Sequence, residues 1–177
     1  MWQVRPERPE DSDAIEALVI ATFGAGRFAK TAYRLREGVA LVKELSFVAT
    51  AQADGKLLGS IRFWPVTIGQ QSALLLGPLA VRPDLRGKGI GISLMQKGLE
   101  TARALSFGCV ILVGDEPYYA KVGFARVPPG RLRWSAPVDP DRLLGLSLKS
   151  GALIDLKGEV RRAKVDLPVS AQATPLA

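Results

Sequence analysis

The sequence predicts a mixed α/β fold of the α+β kind, with helices on both faces of a twisted, mostly antiparallel sheet of about six or seven strands. Three observations carry this. An apolar run over residues 73–81 leads through a Gly-rich turn into a helix-like run over 92–105, the punctuation of a strand–turn–helix unit. Residues 47–53 and 57–66 flank Asp54-Gly55, the strongest short hairpin signal in the chain. Cys109-Val110-Ile111-Leu112-Val113 is a short apolar, β-branched run, typical of a buried parallel strand.

Taken in order, residues 2–5 read as a first strand closed by Pro6. Pro9, Glu10 and Asp11 give an acidic helix start, followed by Ala14, Ile15, Leu18, Val19 and Ala21 at helical spacing. A second helix is expected over 29–37, stopping at Gly38, after the linker Phe23-Gly24-Ala25-Gly26-Arg27. The hairpin follows, and the turn Gly69-Gln70-Gln71-Ser72 adds the strand 73–81 to complete an antiparallel meander. Leu94, Met95, Leu99, Ala102 and Leu105 recur at three-to-four spacing, an apolar helix face laid on the sheet. Beyond Phe124, Pro128-Pro129-Gly130 breaks the chain, and strands are expected over 143–148 and 159–165. No linker composition intervenes, so residues 1–167 are expected to form one domain, with 126–167 as sheet extensions and a cap. The small and polar residues of 168–177 predict a disordered tail.

Composition narrows the chemistry. The chain has 177 residues, a net charge of +7, one Cys and no His. A His general base and a His-containing metal site are therefore excluded, and one Cys makes neither a disulfide nor a zinc site. Cys109 lies in an apolar strand without a visible activating base, which argues against a nucleophile. There is no basic-then-apolar leader and no apolar run of about 18 residues, so a cytoplasmic protein without a membrane span is expected. Charge is neutral over 1–53, +3 over 54–125 and +4 over 126–177. Arg131-Leu132-Arg133-Trp134 reads as a strand with one solvated face more readily than as a nucleic-acid patch.

The most informative stretch is Arg86-Gly87-Lys88-Gly89-Ile90-Gly91. A Gly-rich turn at a helix N-terminus leaves several backbone N–H groups unpaired and aimed one way. The helix dipole adds positive potential there, so the turn suits a phosphate or pyrophosphate. Spacing decides which cradle it is. No P-loop Gly-x4-Gly-Lys-Ser/Thr fits, and the alternating Gly87, Gly89 and Gly91 miss the Gly-x-Gly-x-x-Gly of dinucleotide binders. Arg-x-x-Gly-x-Gly does fit, at Arg86, Gly89 and Gly91.

In this setting the stretch resembles the acetyl-CoA pyrophosphate loop of the GCN5-related N-acetyltransferase (GNAT) superfamily. Tyr118-Tyr119-Ala120-Lys121-Val122-Gly123-Phe124 is similar to the Tyr-x-x-x-Gly-Phe element that follows that family's fifth strand. Leu76-Gly77-Pro78-Leu79-Ala80-Val81 is similar to its fourth strand. The resemblance covers residues 1–125 well and the rest loosely. It implies a sheet splayed between the fourth and fifth strands; Gly77-Pro78 supports this, because Pro removes a ladder donor and Gly permits a bulge.

The resemblance also implies roles. The backbone N–H groups of Gly87, Lys88, Gly89, Ile90, Gly91 and Ile92 would hold the pyrophosphate of acetyl-CoA, with Arg86 and Lys88 as added cations. The backbone of Leu79, Ala80 and Val81 would pair with the pantetheine arm, and a free N–H there would polarise the thioester carbonyl. Tyr119, four residues before Gly123, matches the family's tyrosine that protonates the departing thiolate; Tyr118 is one residue off that register. No base is assigned. The fourth strand has no carboxylate, Gly114-Asp115-Glu116 stands where many relatives carry Asn, and Glu44, Asp115 and Glu116 read as solvated loop carboxylates. Acetyl transfer to an amine of a small molecule or protein is the expected activity. The alternatives are a non-catalytic CoA sensor and an acyltransferase fed by an acidic carrier protein. A homodimer is among the expectations because many relatives dimerise. The helix that starts at Pro9–Asp11 and the one over 29–37 would border the acceptor, with 23–27 as a candidate substrate loop.

Overall fold

A computed structural model of the chain describes residues 1–24 and 31–163. Nine strands form one sheet around a long central hairpin. β1 (Trp2–Pro6), β2 (Phe47–Ala51), β3 (Leu57–Ile68) and β4 (Gln71–Val81) are consecutive antiparallel neighbours. β5 (Cys109–Val113) then lies parallel to β4, and β8 (Leu143–Ser147) runs antiparallel to β5, followed by the two-residue β6 (Ala125–Arg126). β9 (Gly158–Arg162) returns to pair with the far end of β3 and with β7 (Leu132–Arg133). The mixed, mostly antiparallel fold is the one expected. The strand number is higher because β6 and β7 are too short to show periodicity.

The helices sit where apolar spacing puts them. α1 (Ser12–Phe23) buries Ile15, Leu18 and Val19 against Val48 and Ala80. α2 is described over Thr31–Arg34 and followed by turns to Gly38, so the expected helix over 29–37 begins among residues outside the description. α3 (Ile90–Ala104) buries Ile90, Leu94, Met95, Leu99 and Ala102 on the sheet. It starts two residues earlier than expected, because Gly89 takes the left-handed conformation (φ +87°) and serves as its N-cap. α4 (Glu116–Tyr119) is one turn long. Among the described residues no helix is long and apolar enough to cross a membrane. The expected tail over 168–177 lies outside the described residues.

The core between α3 and the sheet is tightly filled. A Cβ on Gly98 would stand 2.5 Å from Cε2 of the fully buried Phe63. Gly98→Ala gains up to about 1 kcal/mol of helix propensity, yet overpacking a core costs about 1–3 kcal/mol. The steric cost wins, because Phe63 is enclosed and has nowhere to yield. A net loss of about 1–2 kcal/mol is expected, checked as a lower urea midpoint at unchanged m-value.

The C-terminal third is tied to the same sheet. Arg131 uses its guanidinium internally, donating to the carbonyls of Leu153 at 3.1 Å and Ile154 at 2.5 Å. Leu132 is buried and Arg133 exposed, which is the alternation of a strand with one solvated face. Cys109 is 2% exposed, and burial pushes its thiol up to about 11. A thiol held protonated inside a strand is unsuited to nucleophilic chemistry at neutral pH.

Candidate functional site

β4 and β5 share only two paired positions, Leu74 with Val110 and Leu75 with Ile111. Beyond them the strands diverge. On the β3 side a bulge sets Gly77 and Pro78 against Arg62, between the pairs Phe63–Leu76 and Ile61–Leu79. The Trp64 indole N–H donates to the Gly77 carbonyl at 2.6 Å and pins the bulge in place. Leu79, Ala80 and Val81 remain paired to β3, while no described strand pairs with their other edge. Leu79, with Leu76, Gly77 and Pro78 before it, borders a cavity of about 660 Å³. Its walls come from α1, the turn after α2, β4, the end of β5 and α4.

The Gly loop lies at the other end of this splay. Arg86, Gly87, Lys88 and Gly89 are exposed. The amides of Arg86 and Lys88 close turns onto Pro83 and Leu85 at 3.4 Å each, and that of Ser93 reaches Gly89 at 3.0 Å. Among the described residues, the amides of Gly87, Gly89, Ile90, Gly91 and Ile92 have no hydrogen-bond acceptor. Lys88 is thus the one member of the expected set whose amide is already engaged. Ile90, Gly91 and Ile92 form the first turn of α3, where the helix dipole concentrates positive potential. Gly87 (φ +79°) and Gly89 (φ +87°) occupy the left-handed region that the turn requires.

The two tyrosines of α4 divide between these regions. Tyr119 packs edge-on against Tyr118 and Phe124, with centroids 5.2 and 6.1 Å apart. Its ring lies so close to Gly114 that a Cβ there would collide with it. Burial pushes its phenol up to about 12; Tyr118 and Asp115 raise it further, and Arg142 opposes them. The Tyr118 hydroxyl instead sits against Gly91, filling the space a side chain would take. Both tyrosines line the cavity. Gly91 and Gly114 therefore act as seats for the two rings, a relation that local spacing does not reveal.

Of the candidate base residues, Glu44 is exposed and does not line the cavity, and the other two are engaged in ion pairs. Asp115 accepts from Arg142 at 3.2 Å, and Glu116 accepts from Arg126 at 2.6 Å. Arg62 forms a fork with Glu7 at 2.6 and 2.9 Å. Arg36, which the sequence reading does not single out, also lines the cavity. Phe23 of the expected substrate loop lines it too, while residues 25–27 lie outside the described residues. Among the described residues no group of three or more His, Cys, Asp or Glu is placed to hold a metal.

The family model for the acetyltransferase (GNAT) family matches residues 13–124. The Escherichia coli K12 protein named as the uncharacterized N-acetyltransferase YhbS is 32% identical over 123 residues, 68% of this chain and 72% of that protein. The crystal structure of Escherichia coli YhbS in complex with CoA is 28% identical, with a TM-score of 0.78 covering 92% of this chain and 89% of the other. A Brucella melitensis GNAT acetyltransferase in complex with acetyl-CoA is 29% identical, with a TM-score of 0.69 covering 92% and 96%. A unit from strand to Gly loop, helix, splayed strand pair and tyrosine turn, matched by its family model over most of its length, makes this chain a member of the GNAT acetyltransferase family.

Proposed function

We propose that the protein is an N-acetyltransferase that moves the acetyl group of acetyl-CoA directly to an amine, with both substrates bound together. The observation that carries this reading is the set of acceptor-free amides at Gly87, Gly89, Ile90, Gly91 and Ile92, which begins on the exposed loop and runs into the first turn of α3. Unpaired donors beside a helix N-terminus are costly unless an anion or water completes them. Two CoA-bound relatives of the same fold supply the matching anion. In this mechanism the loop amides and Arg86 hold the pyrophosphate, and the free edge at Leu79–Val81 aligns the pantetheine arm. An N–H on that edge polarises the thioester carbonyl. The amine nitrogen attacks the carbonyl carbon and the C–S bond breaks. Tyr119 gives its proton to the leaving sulfur, while the amine's proton passes to water, since Asp115 and Glu116 are held in ion pairs.

Calorimetry with acetyl-CoA and a thiol-release assay over a panel of amines test this. Saturable binding and amine-dependent release of CoA are expected. Tight binding with no turnover on any amine would instead identify a CoA-sensing module, and absence of binding would remove the reading altogether.

A further inference from the structure

The cavity holds three arginines, and their partners differ. Arg62 is matched by Glu7 and Arg142 by Asp115. Arg36 is not matched: among the described residues its side chain forms neither a hydrogen bond nor an ion pair, and its Nε is buried without a partner. Burial pushes its guanidinium down to about 10, and among the described residues the Tyr33 phenol opposes the shift. Glu16, Glu37 and Asp139 line the same cavity but make no ion pair with it, and the Asp139 carboxylate is occupied by the Asp141 amide at 2.9 Å. The residue as a whole is half-buried with only its Nε enclosed, and a cation taken partly out of water without a counter-charge is unfavourable. Such a residue persists where a ligand supplies the missing counter-charge.

The position is specific. A Cβ on Gly77 would stand 2.7 Å from one terminal nitrogen of Arg36, so the guanidinium rests on the β4 bulge with no side chain in the way. The Gly77 carbonyl is taken by Trp64. Arg36 therefore lines the cavity at the β4 bulge, and Leu79 and Tyr119 line the same cavity. A planar fork of donors fits a carboxylate in two parallel hydrogen bonds.

We infer that Arg36 binds a carboxylate carried by the acceptor, so that the amine acetylated here belongs to an amino acid or to a peptide residue with a nearby carboxylate. This rests on the acetyltransferase reading for the amine, but the anion site itself is measurable without turnover. The products of such a reaction are N-acetyl amino acids. The test titrates N-acetyl derivatives of the proteinogenic amino acids, and their matched amides, into the protein by calorimetry with and without CoA. N-acetyl-aspartyl and N-acetyl-glutamyl amides separate a side-chain carboxylate from the α-carboxylate.

For at least one side chain, the acid is expected to bind at least about tenfold more tightly than the uncharged amide. Arg36→Gln should erase that preference, and Arg36→Lys should keep part of it. Arg36→Gln should melt no lower than wild type, because it removes an unpaired, half-buried charge; a role confined to packing predicts the opposite. Equal affinity of acids and amides in wild type overturns the inference without recourse to any variant. An undiminished preference in Arg36→Gln overturns it as well. Failure of CoA to bind in the same experiment would count against the acetyltransferase reading alone.

Discussion

Tyr119→Phe is expected to lower turnover by about 10²- to 10⁴-fold, the usual contribution of a positioned general acid. Affinity for acetyl-CoA should change by no more than about twofold, because the ring and its packing on Phe124 are retained. The phenol carries its proton at neutral pH, and burial pushes it up to about 12, which keeps it protonated while making it a weaker acid. A raised tyrosine pKa means the neutral, proton-bearing form prevails at every pH below that value. Tyr119 therefore contributes no alkaline limb to the rate below about pH 11, and the variant should lose amplitude without a shift in profile. Tyr118→Phe is the contrast. Its hydroxyl lies at Gly91, beside the anion loop, so its loss should weaken acetyl-CoA binding by about three- to tenfold, the worth of one hydrogen bond. Stopped-flow thiol release at saturating substrates, with calorimetry alongside, separates the two. Wild-type turnover in Tyr119→Phe would remove the acid from the mechanism.

The features legible in the sequence are those set by local rules. The meander of β2, β3 and β4 follows from alternation around Asp54-Gly55, and β5 was bounded correctly at Cys109 and Val113 because a short apolar run has few other readings. The bulge at Gly77-Pro78 followed from what Pro lacks and Gly permits. What escaped depends on residues far apart in the chain. β9 joins β3 across about 90 residues, a pairing with no local trace. Asp115 and Arg142 lie 27 residues apart, so their pairing was invisible to a reading that treated Asp115 as a solvated carboxylate. Arg36 sits between Leu35 and Glu37 in the turn after a short helix, where a charged side chain ordinarily reaches water. Only the approach of β4 and α1 turns that position into a cavity wall. The site's cofactor half is local and repetitive; its acceptor half is assembled by tertiary contact, which is why the acceptor was the part left unread.

Gly91→Asp is expected to weaken acetyl-CoA binding by at least about 100-fold while leaving α3 intact. A carboxylate in the first turn of a helix is itself favourable, by about 0.3–1 kcal/mol, so the helix has no reason to melt. The damage falls on the ligand. The new side chain would compete for the amides of Gly89, Ile90 and Ile92 that are otherwise open. It would also repel a diphosphate, at about 1 kcal/mol for each pair of charges 4 Å apart in water. It would further collide with the Tyr118 hydroxyl. Gly91→Ala isolates the collision and should cost about tenfold, the remainder in Gly91→Asp being electrostatic. Arg86→Ala, at an exposed position, should cost only a few-fold, and that difference should fade as salt is raised. The signature distinguishes this region from Tyr119. A contact made equally in ground and transition states raises KM and spares kcat, so Gly91→Ala should recover its rate at high acetyl-CoA where Tyr119→Phe does not. Acetyl-CoA bound by Gly91→Asp as tightly as by wild type would mean that the amides ahead of α3 do not carry the diphosphate.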